Sequence, residues 1–338
     1  MDQRHIVLAH GSGGRLHHQL IDEVFHTKLA NPWLDQKLDA AKLDLPTSGK
    51  IVFSTDSFVI DPLFFPGGDI GCLAVYGTVN DLAVSGGVPK YLSAGFIIEE
   101  GLLIDDLIKV VDSMQRAAAE AGVAVVTGDT KVVGRGQVDK LFINTAGIGV
   151  VAPGIDLCPT NMKNGDLVII SGGLGEHGLA IMAQREGISF KTTVNSDCGS
   201  VHRLAAALLE IDPAGVRCMR DPTRGGLATT LNELAHQGSI GIRIEEDIIP
   251  VLPTVRGGCE MLGIDPLYMA NEGKLIAVVA AERAQEMLQS LRDLPEGRNA
   301  AIIGEINQSY KNLVLLHTSL GTDRVLGMLE GELLPRIC

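Results

Sequence analysis

At 338 residues, 46% hydrophobic and only 4% aromatic, the chain can build two domain-sized cores packed mainly from Ala, Val, Leu and Ile. A net charge of −13 argues against a general nucleic-acid binder or a protein drawn to anionic membranes. No apolar run reaches the roughly 18 residues of a membrane helix, and the six cysteines (72, 158, 198, 218, 259 and 338) form no C-x-x-C pair of a zinc ribbon or thioredoxin-type motif.

The stretch after Met1-Asp2-Gln3-Arg4-His5 is too short for a signal sequence, so a cytoplasmic protein with reduced thiols is expected. His10-Gly11-Ser12-Gly13-Gly14 precedes a helical stretch from Leu16 to about Leu29. Ile51 to Ile60 alternates as a strand carrying Ser54-Thr55-Asp56. Gly67-Gly68-Asp69-Ile70-Gly71 leads into a helix ending near Gly86-Gly87. Tyr91 to Ile98 reads as a strand, and Asp105 to Ala121 as a helix with Leu107, Ile108, Val111, Met114 and Ala118 on one face. Val123 to Val126 is a short buried strand running into Thr127-Gly128-Asp129-Thr130. Leu141 to Val151 is another strand, and Pro153-Gly154 a boundary.

Beyond it, Asp166 to Ile170 predicts a strand, Gly172 to Gly178 a glycine loop, and Leu179 to Arg185 a helix. Val201 to Leu209 and Leu227 to His236 predict helices, Leu275 to Ala280 and Ala301 to Ile306 strands. This alternation makes the fold class α/β (α+β), divided into residues 1–153, 154–330 and a flexible tail, 331–338.

Four short motifs set carboxylates beside small residues: Thr55-Asp56, Asn80-Asp81, Gly128-Asp129-Thr130 and Asp221-Pro222-Thr223-Arg224-Gly225-Gly226. Each borders an apolar element, from whose end a side chain can project into a cleft as from a loop. Singly, each suits a turn or a helix cap. Together, their hard oxygen donors suit Mg²⁺ shared with a nucleotide's phosphates. No G-x-x-x-x-G-K-[ST] exists. Gly173, Gly175 and Gly178 do match G-x-G-x-x-G, with Asp197 nineteen residues on, but Asp197 lies in Asn195-Ser196-Asp197-Cys198-Gly199 rather than at a strand end. A glycine loop turning a strand into a helix is the favoured reading. Lys131 and Glu272 each read as a charge partner, a turn residue or a catalytic group, and His177 as a ligand contact or a helix cap.

The chain ends Pro335-Arg336-Ile337-Cys338. From Gly331 an extended tail spans on the order of 25 Å, enough to carry a thiol into a cleft or out to another protein. The neighbouring α-carboxylate disfavours the Cys338 thiolate, which predicts a sluggish free thiol.

Taken together, these motifs resemble the aminoimidazole-ribonucleotide synthetase (PurM-like) superfamily. Within it, His10-Gly11-Ser12-Gly13-Gly14, Phe65-Pro66-Gly67-Gly68-Asp69-Ile70-Gly71, Asn271-Glu272-Gly273 and the terminal Pro335-Arg336-Ile337-Cys338 are similar to the HypE family of hydrogenase maturation factors. The resemblance implies an N-terminal α/β domain that forms a homodimer through its sheet, and a C-terminal ferredoxin-like domain. It implies ATP in a cleft, against Gly13, Gly14, Asn80, Gly128, Thr130 and Gly225. Mg²⁺ would be held by Asp56, Asp81 and Asp221, with Asp129 a fourth candidate. It also implies the reaction: a carbamoyltransferase, HypF, loads Cys338, and ATP drives dehydration of the thiocarboxamide to a thiocyanate. The cyanide passes to iron on a HypC–HypD complex. Glu272 is the first candidate for the base and Lys131 the second, with Arg224 stabilising the transferred phosphoryl group. The rival readings are another PurM-like synthetase or kinase, a nicotinamide oxidoreductase using the Gly173 loop, and a scaffold whose terminal cysteine ligates metal.

Overall fold

The structure, a computed structural model, describes residues 5–36, 38, 40–44, 46–188, 194–331 and 336–338. Strands β1 (Lys50–Phe58), β4 (Gly87–Glu99), β5 (Ala124–Val133) and β6 (Leu141–Val151) form a sheet of order β1-β6-β4-β5; β2 (Phe64–Phe65) and β3 (Gly68–Asp69) make a small separate hairpin. The β4–β5 pair is parallel, and α4 (Ile104–Ala121) supplies the crossover that such a pair needs.

One face of this sheet is covered by α3 (Ile70–Val84), whose burial on nearly every side reflects its place between the sheet and α4. Asp69 caps α3 by accepting from the Gly71 and Cys72 amides. The predicted N-terminal helix is α1 (Arg15–Leu20) and α2 (Thr27–Leu29), joined by one π-type stretch.

Beyond Pro153, the strands are β7 (Leu167–Ile170), β8 (Val216–Arg220), β9 (Gly241–Glu245), β10 (Ile276–Val279), β11 (Ala301–Asn307), β12 (Val314–His317) and β13 (Asp323–Val325). They form a second sheet of order β13-β12-β9-β11-β7-β10-β8, antiparallel except for β12 with β9. One face packs against α7 (Gly226–Gly238), the other against α6 (His202–Ile211) and α9 (Ala284–Arg292), giving two cores. Helices α5 (Glu176–Arg185) and α8 (Pro253–Leu262) pack on each other at the margin. The sequence reading omitted β8, β9, β12, β13, α8 and α9; all are short pieces of ten residues or fewer, placed by partners distant in sequence.

Contacts of α6 with α3 and β4 join the two units, and Asp56, Asp81 and Asp221 line one cleft between them. The loop expectation fails for three of the four carboxylate motifs. Asp56 lies within β1, Asp81 within α3 and Asp129 within β5; Asp221 alone follows a strand end. The strand after Val123 extends to Val133, because pairing with all of β4 absorbs the polar Gly128-Asp129-Thr130 segment that ended it by local pattern.

Candidate active site

Alternation along β1 turns Asp56 toward α3. Gly77 makes the approach possible, since a Cβ there would lie 2.8 Å from the Phe58 ring. Asp81, four residues on, shares that helix face, accepts from Ser54 Oγ at 2.5 Å and shares a hydrogen bond with Asp56. Burial, then Asp81, pushes the Asp56 carboxyl up to about 6. Asp221 is pushed up to about 7 by burial, then by Asp81 and Asp56. These carboxylates repel one another across one cleft.

The turn after Asp221 passes through Gly225 and Gly226, at φ 73° and 59°, into α7. A side chain at Gly226 would collide with the Met269 and Leu267 carbonyls, so the close approach requires glycine. Asn271 holds the same turn: its backbone N and Nδ2 both donate to the Pro222 carbonyl at 3.1 Å, while its Oδ1 accepts from Gly175 N at 2.8 Å.

Glu272 is 3% exposed, and its Oε1 is buried without a hydrogen-bond partner. Burial, then Asp221, Asp197 and Asp56, raises its pKa well above the usual carboxylate range. Its backbone is pinned by Asp197, which accepts from Glu272 N at 3.1 Å and Gly273 N at 3.3 Å and pairs with Lys274 at 3.3 Å. Asp197 is therefore occupied within the protein, which disfavours a ribose-binding role in a dinucleotide fold.

The chain terminus closes the cleft. Residues 332–335 lie outside those described, but Arg336 to Cys338 are docked. Val59 donates its N–H to the Cys338 carbonyl at 3.1 Å and accepts from Arg336 Nε at 2.9 Å. Ile337 is 7% exposed and joins the core of the first unit. The Arg224 guanidinium donates to the Cys338 sulfur, which raises the Arg224 pKa. The thiol itself is pushed up to about 11, by burial first and the Glu272 charge second, against the opposing pull of Arg224. Asp56, Asp81, Asp221, Arg224, Glu272 and Cys338 thus line one cavity of about 290 Å³. A neighbouring cavity of about 410 Å³ shares Arg224 and Cys338 and includes Gly225.

The other predicted site residues gather elsewhere. Strand order places β1 and β5 at opposite edges of the first sheet, roughly 14 Å apart over three strand spacings. Gly128, Asp129 and Thr130 border a cavity of about 360 Å³ with His17, His18 and Trp33. Lys131 pairs with Asp129 at 2.9 Å, and this bond holds the Asp129 carboxyl below its ordinary value. Both side chains are exposed on the outer sheet face, away from the Asp56 cleft. Gly14 caps α1, and Gly11 lies against β5 at Val132, so the Gly13-Gly14 turn stands on that side as well.

Asn80 also departs from expectation. It is 2% exposed; Nδ2 donates to the Gly199 and Glu272 carbonyls, and Oδ1 accepts from Val201 N at 2.8 Å. With both ends of its amide engaged, Asn80 staples α3 to the Glu272 loop, a structural role within the protein. The sequence reading missed the roles of Ser54 and Val59, which it marked only as strand residues, and of Asp197, which it weighed only as the acid of a dinucleotide fingerprint.

Among the described residues, no three His, Cys, Asp or Glu side chains converge tightly enough to hold an ion unaided. The all-oxygen, mutually repelling set still fits a hard cation that takes its remaining ligands from phosphate and water. No helix among them is long and apolar enough to cross a membrane.

The N-terminal domain model of AIR synthase related proteins matches residues 37–151, and the C-terminal domain model residues 163–315. A carbamoyl dehydratase HypE of Azotobacter vinelandii is 53% identical over 333 residues, covering 98% of this chain and 97% of the relative. A solved hydrogenase maturation protein HypE in complex with ATP superposes with TM-score 0.94 at 49% identity, over 98% of this chain and 99% of that one. A HypE–HypF complex matches with TM-score 0.81 at 45% identity, over 92% and 99%.

Proposed function

Because the chain belongs to the HypE family of carbamoyl dehydratases, we propose that it carries its substrate on Cys338 and dehydrates it with ATP, making the cyanide ligand for nickel–iron hydrogenases. The observation that carries the assignment of Cys338 is the docked terminal thiol, hydrogen-bonded by Arg224 inside the cleft of Asp56, Asp221 and Glu272.

The chemistry explains why such a cleft suits the task. A thiocarboxamide does not lose water directly, because oxide or hydroxide is a poor leaving group. Transfer of the γ-phosphoryl group to the carbonyl oxygen, with loss of one N–H proton, gives an O-phosphorylated imidate and ADP. Loss of the second N–H proton then expels phosphate and leaves the nitrile carbon on sulfur. Glu272 is the acceptor for the first of these protons, and the departing phosphate carries the second away: burial makes the Glu272 carboxyl unusually basic, its free Oε1 has no competing partner, and the positive charge of Arg224 favours its ionised form. Arg224 also stabilises charge on the phosphoryl oxygens. Asp56, Asp81 and Asp221 would hold Mg²⁺, whose chemistry when bound is to neutralise phosphate charge.

The first sheet leaves an apolar outer face, with Phe53 65%, Val88 55%, Ile51 49% and Ile97 42% exposed. A homodimer through this face buries these side chains. Asp129 and Lys131 point to the same side, so a second copy is the arrangement that gives Lys131 and the Gly128-Asp129-Thr130 segment a route to a cleft. By family likeness the donor of the carbamoyl group is HypF and the acceptor of cyanide the HypC–HypD complex, in the cytoplasm, with the division between the chain's two units near Pro153.

The test is the intact mass of carbamoyl-loaded chain before and after MgATP, beside Cys338→Ala. Loss of one water that needs ATP and is absent in the variant is expected. ATP hydrolysis without a mass change would sink the assigned substrate.

A further inference from the structure

His177 is a buried titratable group that this mechanism leaves unused. It sits at the second position of α5, 0% exposed, edge-on to Phe65 with ring centroids 5.6 Å apart. Its Nε2 lies 2.8 Å from the Ile337 carbonyl and its Nδ1 2.8 Å from Ser196 Oγ. A carbonyl oxygen only accepts, so Nε2 carries the proton and donates. Burial lowers the pKa and keeps the ring neutral. Nδ1 is then an acceptor and receives a hydrogen bond from the Ser196 hydroxyl, while Ser196 Oγ itself accepts from Cys198 N at 3.0 Å.

Ser196 adjoins Asp197, whose carboxylate pins the Glu272 and Gly273 amides. Two residues separated by most of the second unit are therefore joined through one ring. On one side is the carbonyl next to the carrier cysteine; on the other is the loop that fixes the proposed base. His177 touches neither the thiol nor the cavity around it.

The geometry points to His177 as a positioning residue for the dehydration, its Nε2–H holding the docked tail at Ile337 and its Nδ1 tying that docking, through Ser196, to the loop that sets Glu272. This rests on Cys338 as the carrier. The ring fixes the tail one residue before the thiol, so the carbamoyl group on sulfur stays free to move among Arg224, Glu272 and the nucleotide. Arg185, on the last turn of α5, donates to the Arg336 carbonyl, so one helix grips two successive carbonyls of the tail.

The experiment compares wild type with His177→Leu, which cannot donate, and His177→Gln, which keeps an N–H donor. Three quantities are read: alkylation of Cys338 by iodoacetamide, single-turnover water loss from the carbamoyl-loaded chain, and MgATP affinity. His177→Leu is expected to speed alkylation and slow water loss, each about tenfold, the consequence of one lost buried hydrogen bond. MgATP affinity stays within about twofold, and His177→Gln restores both rates to within about threefold of wild type. A His177→Leu chain that keeps both wild-type rates, or loses activity with Cys338 still protected, overturns the proposal. So does a folded His177→Gln chain that restores neither. If wild type itself loses no water, the dehydratase reading fails, while the alkylation arm still tests the grip on the tail. Should His177→Leu not fold, the ¹⁵N–¹H signal of His177 Nε2–H decides: it must shift in a chain ending at residue 335, and an unchanged signal refutes the contact.

Discussion

Docking of the terminal cysteine makes its reactivity a measure of the cleft. Burial, with the charges of Glu272 and Asp56 added, moves the Cys338 thiol from an ordinary 9.0 to about 11, although Arg224 pulls the other way. A shift of two pH units means roughly 100-fold less thiolate at any pH below both values. The sign follows from linkage: the docked state holds the proton more tightly, so docking is fully supported below about pH 9 and is lost as pH rises through about 11. Loaded with a carbamoyl group, the sulfur has no proton to lose, and docking becomes independent of pH over this range. The assay is the alkylation rate of Cys338 against pH, read by peptide mass beside the same chain in denaturant. Wild type should react at neutral pH about 100-fold more slowly than the unfolded control. Arg224→Gln should move the profile to higher pH and Glu272→Gln to lower pH. A native profile that rises near pH 9 at the rate of the unfolded chain would refute the reasoning, as would a shift in the same direction from both substitutions.

Asn80→Ala leaves Val201 N and the Gly199 carbonyl without their buried partner and should cost about 2–4 kcal/mol of stability. Thermal melts should show that loss with MgATP affinity changed less than about threefold, whereas a stable variant deficient only in nucleotide binding would restore Asn80 as a cofactor contact. Gly77→Ala drives a methyl group against Phe58 and should destabilise by about 1–3 kcal/mol, seen as a lower denaturant midpoint; a neutral result would mean that α3 lies farther from β1. Because Asp56 and Asp221 are raised to about 6 and about 7, their contribution to stability is present at low pH and is lost as pH rises through these values. Added Mg²⁺ should therefore raise the melting temperature more at pH 8 than at pH 5.5, and equal stabilisation would argue against these carboxylates as its ligands. A glycine appended after Cys338 must find room where the Cys338 carbonyl now meets Val59, and should abolish water loss in the mass assay; unchanged turnover would disprove the tight fit of the terminus.

What the sequence determined lies in local pattern and in rare combinations. Alternation and helical periodicity marked β1, α4, β6 and β11 close to their observed limits, because each places its apolar side chains at the spacing of one buried face. The four aspartate motifs pointed to the superfamily, and His10-Gly11-Ser12-Gly13-Gly14, Asn271-Glu272-Gly273 and Pro335-Arg336-Ile337-Cys338 to the family within it, because each is a run of chemically distinctive residues that can be read without knowing the fold. Tertiary structure alone decided which of these residues meet. The strand order β1-β6-β4-β5 is set by long-range pairing, and it puts Asp56 at one edge and Asp129 with Lys131 at the other, although both motifs read alike along the chain. Asn80 and Asp81 are adjacent in sequence, yet the turn of α3 sends one into backbone amides and the other to the cleft. By sequence His177 reads as a ligand contact or a helix cap and Asp197 as an acid beyond a glycine loop, whereas their actual partners are the tail and the Glu272 loop. No periodicity encodes such partners, because a hydrogen bond between residues 160 positions apart depends on how whole sheets and helices stack, and only the folded chain fixes that.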